Sequence, residues 1–219
     1  MNKTDKQNLS DALNWRYAVK KFEKREINTQ ELEDVVKEIL QQTPTSFGLQ
    51  AYKFVIVKNE ETRKELQKFS WDQSQVTDAD LYVVFTVPTN FDISFIEKHM
   101  KNMQNIRGLD DKITWAITDY MANKIIETWE EIWITNYEEW LTKQAYIALW
   151  NLMTWLSILG IDSCAIEGLL PKEYDRVLNL EEKNLTTKVA IAIGKRHPDD
   201  KYQNFKKVRF STNDLFLEV

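Results

Sequence analysis

Residues 140–169 read WLTKQAYIALWNLMTWLSILGIDSCAIEGL, and their pattern decides the layout of the chain. No charged residue occurs between Lys143 and Asp162. Leu141, Ala145, Ala148, Leu149, Leu152, Trp155, Leu156 and Leu159 recur at helical spacing, and Ile147, Trp150, Met153 and Ile158 fill much of the remaining circumference. A helix apolar nearly all round is a buried helix. Gly160 suits a C-cap, after which residues 161–166 read as a short extended segment closing on Glu167-Gly168. Glycine at such a corner lets backbone approach a ligand closely. The uncharged run nears the lower limit for a membrane span, but Gln144, Asn151, Thr154 and Ser157 interrupt it and no Lys/Arg cluster follows. A core helix that also meets a second copy of the chain is the better reading, because obligate homodimer interfaces resemble a divided core.

Around that helix the composition is that of a globular chain. The 219 residues, 43% hydrophobic and 29% charged, suffice for one domain with a real core. A net charge of −5 argues against nucleic acid as a partner, since that binding relies on neutralising phosphates. An anionic ligand would need a local basic cluster. A single cysteine, Cys164, rules out an intrachain disulfide framework and suits a reducing compartment. The first residues are too polar for a signal peptide, so a cytoplasmic location without membrane partners is expected. Five Gly and four Pro predict a high helix content. Of eight Trp, six fall between Trp115 and Trp155.

Outward from the central helix, the chain alternates helices and strands. Ser10-Asp11 lies in or opens a first short helix, and 16–22 (RYAVKKF) alternates cations with apolar residues, as a solvated strand face would. Asn28-Thr29 caps a helix over 30–41, with Leu32, Val35, Val36, Ile39 and Leu40 as its buried stripe. A hydroxyl-rich loop, 43–50 (TPTSFGLQ), precedes a strand over 52–58. Helix is predicted over 60–69, and 81–87 (LYVVFTV) is apolar enough for a central strand. Helices follow over 92–103 and roughly 110–133, and Asn136 opens the central one. Pro171 starts a further helical turn, 187–193 is a last central strand ended by Gly194, and 215–217 is strand-like. Without repeats or linkers, residues 1–219 form one domain, a layered α/β or α+β sandwich.

The residues offer little familiar chemistry. His99 and His197 lie far apart without Cys or carboxylate at ligand spacing, so no metal site is expected. Cys164 sits in an apolar strand and reads as a buried structural thiol rather than a nucleophile. Neither GxGxxG after a strand nor GxxxxGK[ST] is present. What remains is a set of cations at the two ends, Arg16 and Lys20 against Lys207 and Arg209, with the hydroxyl-rich loop and the Glu-Gly corner.

The order Arg16-x-x-x-Lys20-x-Phe22, Pro44-Thr45-Ser46-Phe47-Gly48-Leu49-Gln50, Gln144, Gly160-Ile161-Asp162, Ile166-Glu167-Gly168 and Lys207-x-Arg209 resembles the FMN-dependent nitroreductase family. It is most similar to the oxygen-insensitive NAD(P)H nitroreductase and dihydropteridine reductase branch. The resemblance implies an α+β fold, a layered sandwich with a central mixed sheet flanked by helices, and a homodimer with FMN in two sites at the subunit interface. It places Arg16, Lys207 and Arg209 on the FMN phosphate, with Tyr17, Ala18 and Gln144 also in the cofactor site. Lys20 would face the pyrimidine side of the ring and stabilise charge on the reduced flavin. Thr45, Ser46 and Gly48 would come from the partner subunit. Glu167 and Gly168 would meet the ring near N5 and O4 through backbone N–H groups, with Ile166 also in the cofactor site, so Lys20 and Glu167 are the expected catalytic positions. Asp72 stands where the family commonly has Asn, and an ionised Asp can only accept a hydrogen bond; Gln73 is the substitute candidate. Ala18 replaces a frequent Ser. Trp71 and Ile125 or Ile126 would line the substrate pocket, and Trp150 and Trp155 would fill core or dimer interface.

The function so implied is two-electron transfer from NAD(P)H through FMN to a small-molecule acceptor, a nitroaromatic, quinone or pterin, by a ping-pong sequence. The rival readings are a flavin carrier of the same fold without turnover, which Asp72 favours, and a helical interaction protein, which the Trp-rich helices favour.

Overall fold

The structure, a computed structural model, describes residues 3–24, 29–127 and 137–219. In chain order the elements are α1 (Lys3–Trp15), β1 (Phe22–Glu23), α2 (Thr29–Gln41), β2 (Lys53–Ile56), α3 (Glu60–Lys68), α4 (Gln75–Asp78), β3 (Leu81–Pro88), α5 (Ile93–Arg107), α6 (Asp111–Ala122), α7 (Tyr137–Ile158), β4 (Asp162–Ile166), α8 (Pro171–Val177), β5 (Leu185–Arg196) and α9 (Thr212–Leu215). A π-helical turn, Asn123–Glu127, follows α6. The expected cap Asn28, Asn136, and Trp129, Ile132 and Trp133 of the expected long helix lie outside the described residues.

β3 and β5 form the middle of the sheet because both of their faces are apolar. Leu81, Val83, Phe85 and Val87 alternate with Tyr82 and Val84, and Val189, Ile191 and Ile193 alternate with Ala190 and Ala192. The odd set packs on Leu32, Val36, Ile96, Met100 and the buried stripe of α7. The even set packs on Leu66, Val76 and Tyr174, from α3, α4 and α8. A sheet buried on both faces between helices is the α+β sandwich expected. Its strand order is β1-β5-β3-β2, with β4 also on β5. Every named pair among the described residues is antiparallel. The sheet is mixed only through the parallel bridge Ala18–Ser163.

Three expectations need correction. Gly194 does not end the last strand: β5 runs through it to Arg196, and a Cβ there would meet Asp80 Oδ2 at 2.9 Å and Phe22 Cδ1 at 3.2 Å. Residues 215–217 form no strand. α9 ends at Leu215 with a Ser211–Asp214 capping box at its start, and the following residues are exposed.

The third correction concerns α7, which is not buried all round. Leu141, Gln144, Ala145, Ala148, Leu149, Leu152 and Leu156 face the core, whereas Ile147, Trp150, Trp155, Ile158 and Leu159 are exposed. Its end is as read. Gly160 takes φ +70°, with Gly160 N–H donating to Ser157 O and Ile161 N–H to Leu156 O at 2.8 Å, a Schellman closure. That turn feeds the chain directly into β4, whose far end is the Glu167-Gly168 corner.

Candidate functional site

The segment after α1 is held against β4 and the start of the C-terminal tail. Val19 N–H donates to Ser163 O, and Ala18 forms the bridge to Ser163. Asp200, itself buried, accepts from Lys20 N–H at 2.7 Å, Lys21 N–H at 3.2 Å, Tyr202 N–H at 3.1 Å and the Tyr17 hydroxyl at 3.1 Å. Burial alone would raise its carboxyl, but these four donors outweigh that and hold it below the usual carboxylate range. Arg196 braces the same segment. Its guanidinium pairs with buried Asp162 at 2.6 Å and lies 4.2 Å from the Trp15 ring centre and 4.6 Å from that of Tyr17. Sequence reading missed Arg196 and Asp200 and gave Asp162, though part of a quoted motif, no role, because their partners lie up to 183 residues away and no spacing rule links them.

What this scaffold holds in place is a cationic cavity. Arg16, Tyr17, Ala18, Lys20, Lys206, Lys207 and Arg209 line it, with Trp15, Tyr202 and Phe205, around a volume of about 420 Å³. The two ends of the chain are thus brought together. Burial and the charge of Arg209 lower the Arg16 guanidinium, and burial, Arg16 and Arg209 lower the Lys207 ammonium. Lys207 Nζ donates to Leu13 O and Arg16 O, both at 2.6 Å, at the C-terminal end of α1. That uses two of its three donors. Arg16 Nε is buried without a hydrogen-bond partner among the described residues. Cations gathered around an unsatisfied guanidinium N–H, with Arg16 and Lys207 lowered by burial and by neighbouring charge, can accept an anion.

From this cavity the site continues along β4. Lys20 Nζ lies 4.0 Å from Cys164 Sγ. Burial pushes the Cys164 thiol up, against the opposing pull of Lys20, a Gln75 hydrogen bond and Arg16, and the side chain is buried in the core as a structural thiol would be. The β4–β5 ladder ends at Ile166–Ala190, and the amides of Glu167 and Gly168 lie beyond its last pair. Over this corner sits Trp71, 80% exposed, at φ +54° and followed by Asp72 at φ +53°. A Cβ on Gly168 would meet the Trp71 ring at 2.7 Å, so only glycine admits the indole there. Gln73 Nε2 donates to Gly168 O at 3.4 Å. The Tyr146 hydroxyl bonds the Glu167 carboxylate; burial and that bond push the phenol up to about 12.

Comparison with known proteins fits this arrangement. The model of the nitroreductase family matches residues 13–195. The chain belongs to the nitroreductase family. It is 29% identical to YfkO of Bacillus subtilis over 96% of each chain, and 23% identical to the oxygen-insensitive NAD(P)H nitroreductase of Salmonella typhimurium, over 93% of this chain and 96% of that one. Among solved structures, a nitroreductase-like protein from Streptococcus mutans superposes with a TM-score of 0.78 at 17% identity, covering 98% of this chain and 99% of that one. A protein from Exiguobacterium sibiricum, crystallised in complex with FMN, superposes at 0.77 with 16% identity, covering 96% and 97%.

Not every expected site residue of this nitroreductase joins the cavity and corner. Ile125 is fully buried in the core, because the π-helical turn after α6 points it inward; it is no pocket wall, while Ile126 is half-buried. Gln144 is buried and braces the hydroxyl-rich loop, with Oε1 accepting from Ser46 N–H at 2.8 Å and Nε2 donating to Trp140 O at 3.4 Å. Thr45 Oγ1 closes the same loop by accepting from Gln50 N–H at 3.0 Å. Gly48, at φ +70°, lines a different cavity from the cationic one.

Proposed function

We propose that this nitroreductase is an FMN-dependent NAD(P)H oxidoreductase that passes two electrons to a small organic acceptor, a nitroaromatic, quinone or pterin, in a ping-pong sequence. The observation that carries the reading is the unpartnered Arg16 Nε beside Lys207 and Arg209, where burial and neighbouring cations lower the Arg16 guanidinium and the Lys207 ammonium, with Lys20 beside Cys164 of the strand that leads to the glycine corner. That donor set fits a phosphate dianion, and the corner fits a flat ring. Arg16, Lys207 and Arg209 hold the phosphate, with Tyr17 and Ala18 framing it. Glu167 and Gly168 present backbone N–H groups to the ring edge, and Ile166 and Gln73 border it. FMN, when bound, supplies the two-electron carrier between NAD(P)H and the acceptor. Lys20 places a positive charge where negative charge develops on reduction. Tyr146 keeps the Glu167 carboxylate, and so the corner, in one position. Trp71 shields the corner from water and offers a stacking face. Asp72 contributes no donor from its carboxylate, and Gln73 stands beside it.

We infer that two copies share each site. The outer face of α7 leaves several large apolar side chains exposed together, Ile147, Trp150 at 55%, Trp155 at 49% and Ile158, the kind of patch that marks an interface. Its natural cover is its own copy across a two-fold axis. The tail adds Phe210, Phe216 and Leu217, all exposed. Thr45, Ser46 and Gly48 are apart from the cationic cavity of their own chain, which suits a contribution to the partner's site.

Colour tests the function. Purified protein should be yellow, or become so on addition of FMN, bleach with NADH or NADPH under anaerobic conditions, and recover when an acceptor is added. A protein that takes up no FMN sinks the reading. One that binds FMN but cannot be bleached is the carrier.

A further inference from the structure

The largest cavity described is not the cationic one but a space of about 830 Å³ at the other side of the hydroxyl-rich loop. The volume is within the range of small-molecule sites, about 300–1,000 Å³. Its walls come from the loop after α2, the start of β2, the end of β3, α5, and the turn before β5. Among the described residues three lysines, Lys53, Lys98 and Lys183, line it, and no aspartate or glutamate does. Lys53 and Lys98 have no ion pair among the described residues, and Lys183 Nζ donates only to Asn179 O at 2.9 Å. His99 projects from α5 beneath Gly48, where a Cβ would stand 3.4 Å from its Cε1, and its Nε2 is buried without a hydrogen-bond partner among the described residues. Phe95 adds an aromatic surface one turn earlier on the same helix.

We infer that this cavity is a second binding site, for an organic anion whose phosphate or carboxylate meets Lys53 and Lys98 and whose aromatic body packs on Phe95 beside His99. An anionic ligand would meet the exposed ammonium groups of Lys53, Lys98 and Lys183 on these walls. Lysines act as point-charge partners for either a phosphate or a carboxylate. The aromatic wall and the size separate this ligand from a bare inorganic ion. Lys53, Lys98, Lys183, Phe95 and His99 do not line the cationic cavity, so their part in this site is separable from the flavin reading, although Gly48 at its wall is also assigned to the partner's flavin site.

The chain's two histidines make the test direct. His99 reports this cavity, while His197, whose N–H donates to Lys21 O, reports the segment beside the cationic one. AMP, benzoate and inorganic phosphate are titrated separately into the protein as purified, and the imidazole C–H resonances are followed by NMR. The expected result is a saturable shift of His99 with AMP or benzoate, with Kd below about 1 mM, and at least about tenfold weaker binding of inorganic phosphate. AMP alone would assign a phosphate ligand, and benzoate alone a carboxylate. The double variant Lys53→Gln/Lys98→Gln, checked for an unchanged melting temperature, should weaken the shift by about tenfold or more; Phe95→Ala should weaken it with the lysines intact. The inference is overturned if His99 stays still, if only His197 moves, if phosphate binds as tightly as AMP, or if the folded double-lysine variant binds like wild type.

Discussion

Lys20 and Arg209 line the same cavity but have separable tasks. Arg209 is exposed and sits among cations whose ordinary charge state it already depresses, so its worth appears only when an anion arrives. Arg209→Ala should weaken FMN binding about 10–100-fold, the loss of one charge-assisted hydrogen bond, while the melting temperature of the cofactor-free protein stays put. Dialysis followed by a visible spectrum measures it; unchanged affinity would mean the tail does not hold the phosphate. Lys20 lies 4.0 Å from Cys164 Sγ on the way to the glycine corner. Lys20→Ala should lower the flavin potential and slow reduction by about tenfold or more, with a smaller loss of affinity, because its charge counts most once the ring is reduced. Equal potentials in the variant and the parent would remove Lys20 from the chemistry.

Elements are kept in register by contacts remote from them in sequence, and the link between the segment after α1 and the tail is the one most exposed to pH. Asp200 takes four donors there and its carboxyl is held below the usual range. A carboxyl depressed by folding adds stability above its unfolded pKa, and that stability disappears as pH falls through the folded value. Asp200→Asn should therefore cost about 1.5–3 kcal/mol at neutral pH, and the gap to wild type should narrow as pH drops below about 4. Urea unfolding at both pH values checks the sign; a gap that widens in acid would be incompatible with it. Positions of α7 behave differently. Leu152 is fully buried inside the chain, so a charge there breaks the core and says nothing about a partner, whereas Trp155 is half exposed and can carry one.

For the whole molecule, the apolar face of α7 and the shared-site reading make one prediction. Trp150→Glu/Trp155→Glu should leave a folded chain that sediments as a monomer and binds FMN at least about tenfold more weakly, because dimerisation and cofactor binding stabilise the same state. FMN added to wild type should in turn hold the dimer together at lower protein concentration. A folded monomer that still binds FMN stoichiometrically would overturn the shared site.

Periodicity by itself determined the sandwich. The apolar runs in residues 81–87 and 187–193, the apolar stripe of 30–41 and the stop at Gly160 are local signals, and the elements they name exist within a few residues of where they were read. The ordered motifs determined the family, which the match over residues 13–195 bears out. Composition could not say which apolar residues of α7 stay uncovered, because a helix rich in Leu and Trp looks alike whether its outer face meets a sheet or water. Nor could it show that Ile125 turns inward or that Gln144 braces Ser46. The Asp200 junction, the Arg196 stack on Trp15 and Tyr17, and the lysine-lined cavity beside His99 are made by residues scattered along the chain. Their energies come from proximity and from exclusion of water, and only the tertiary fold supplies either.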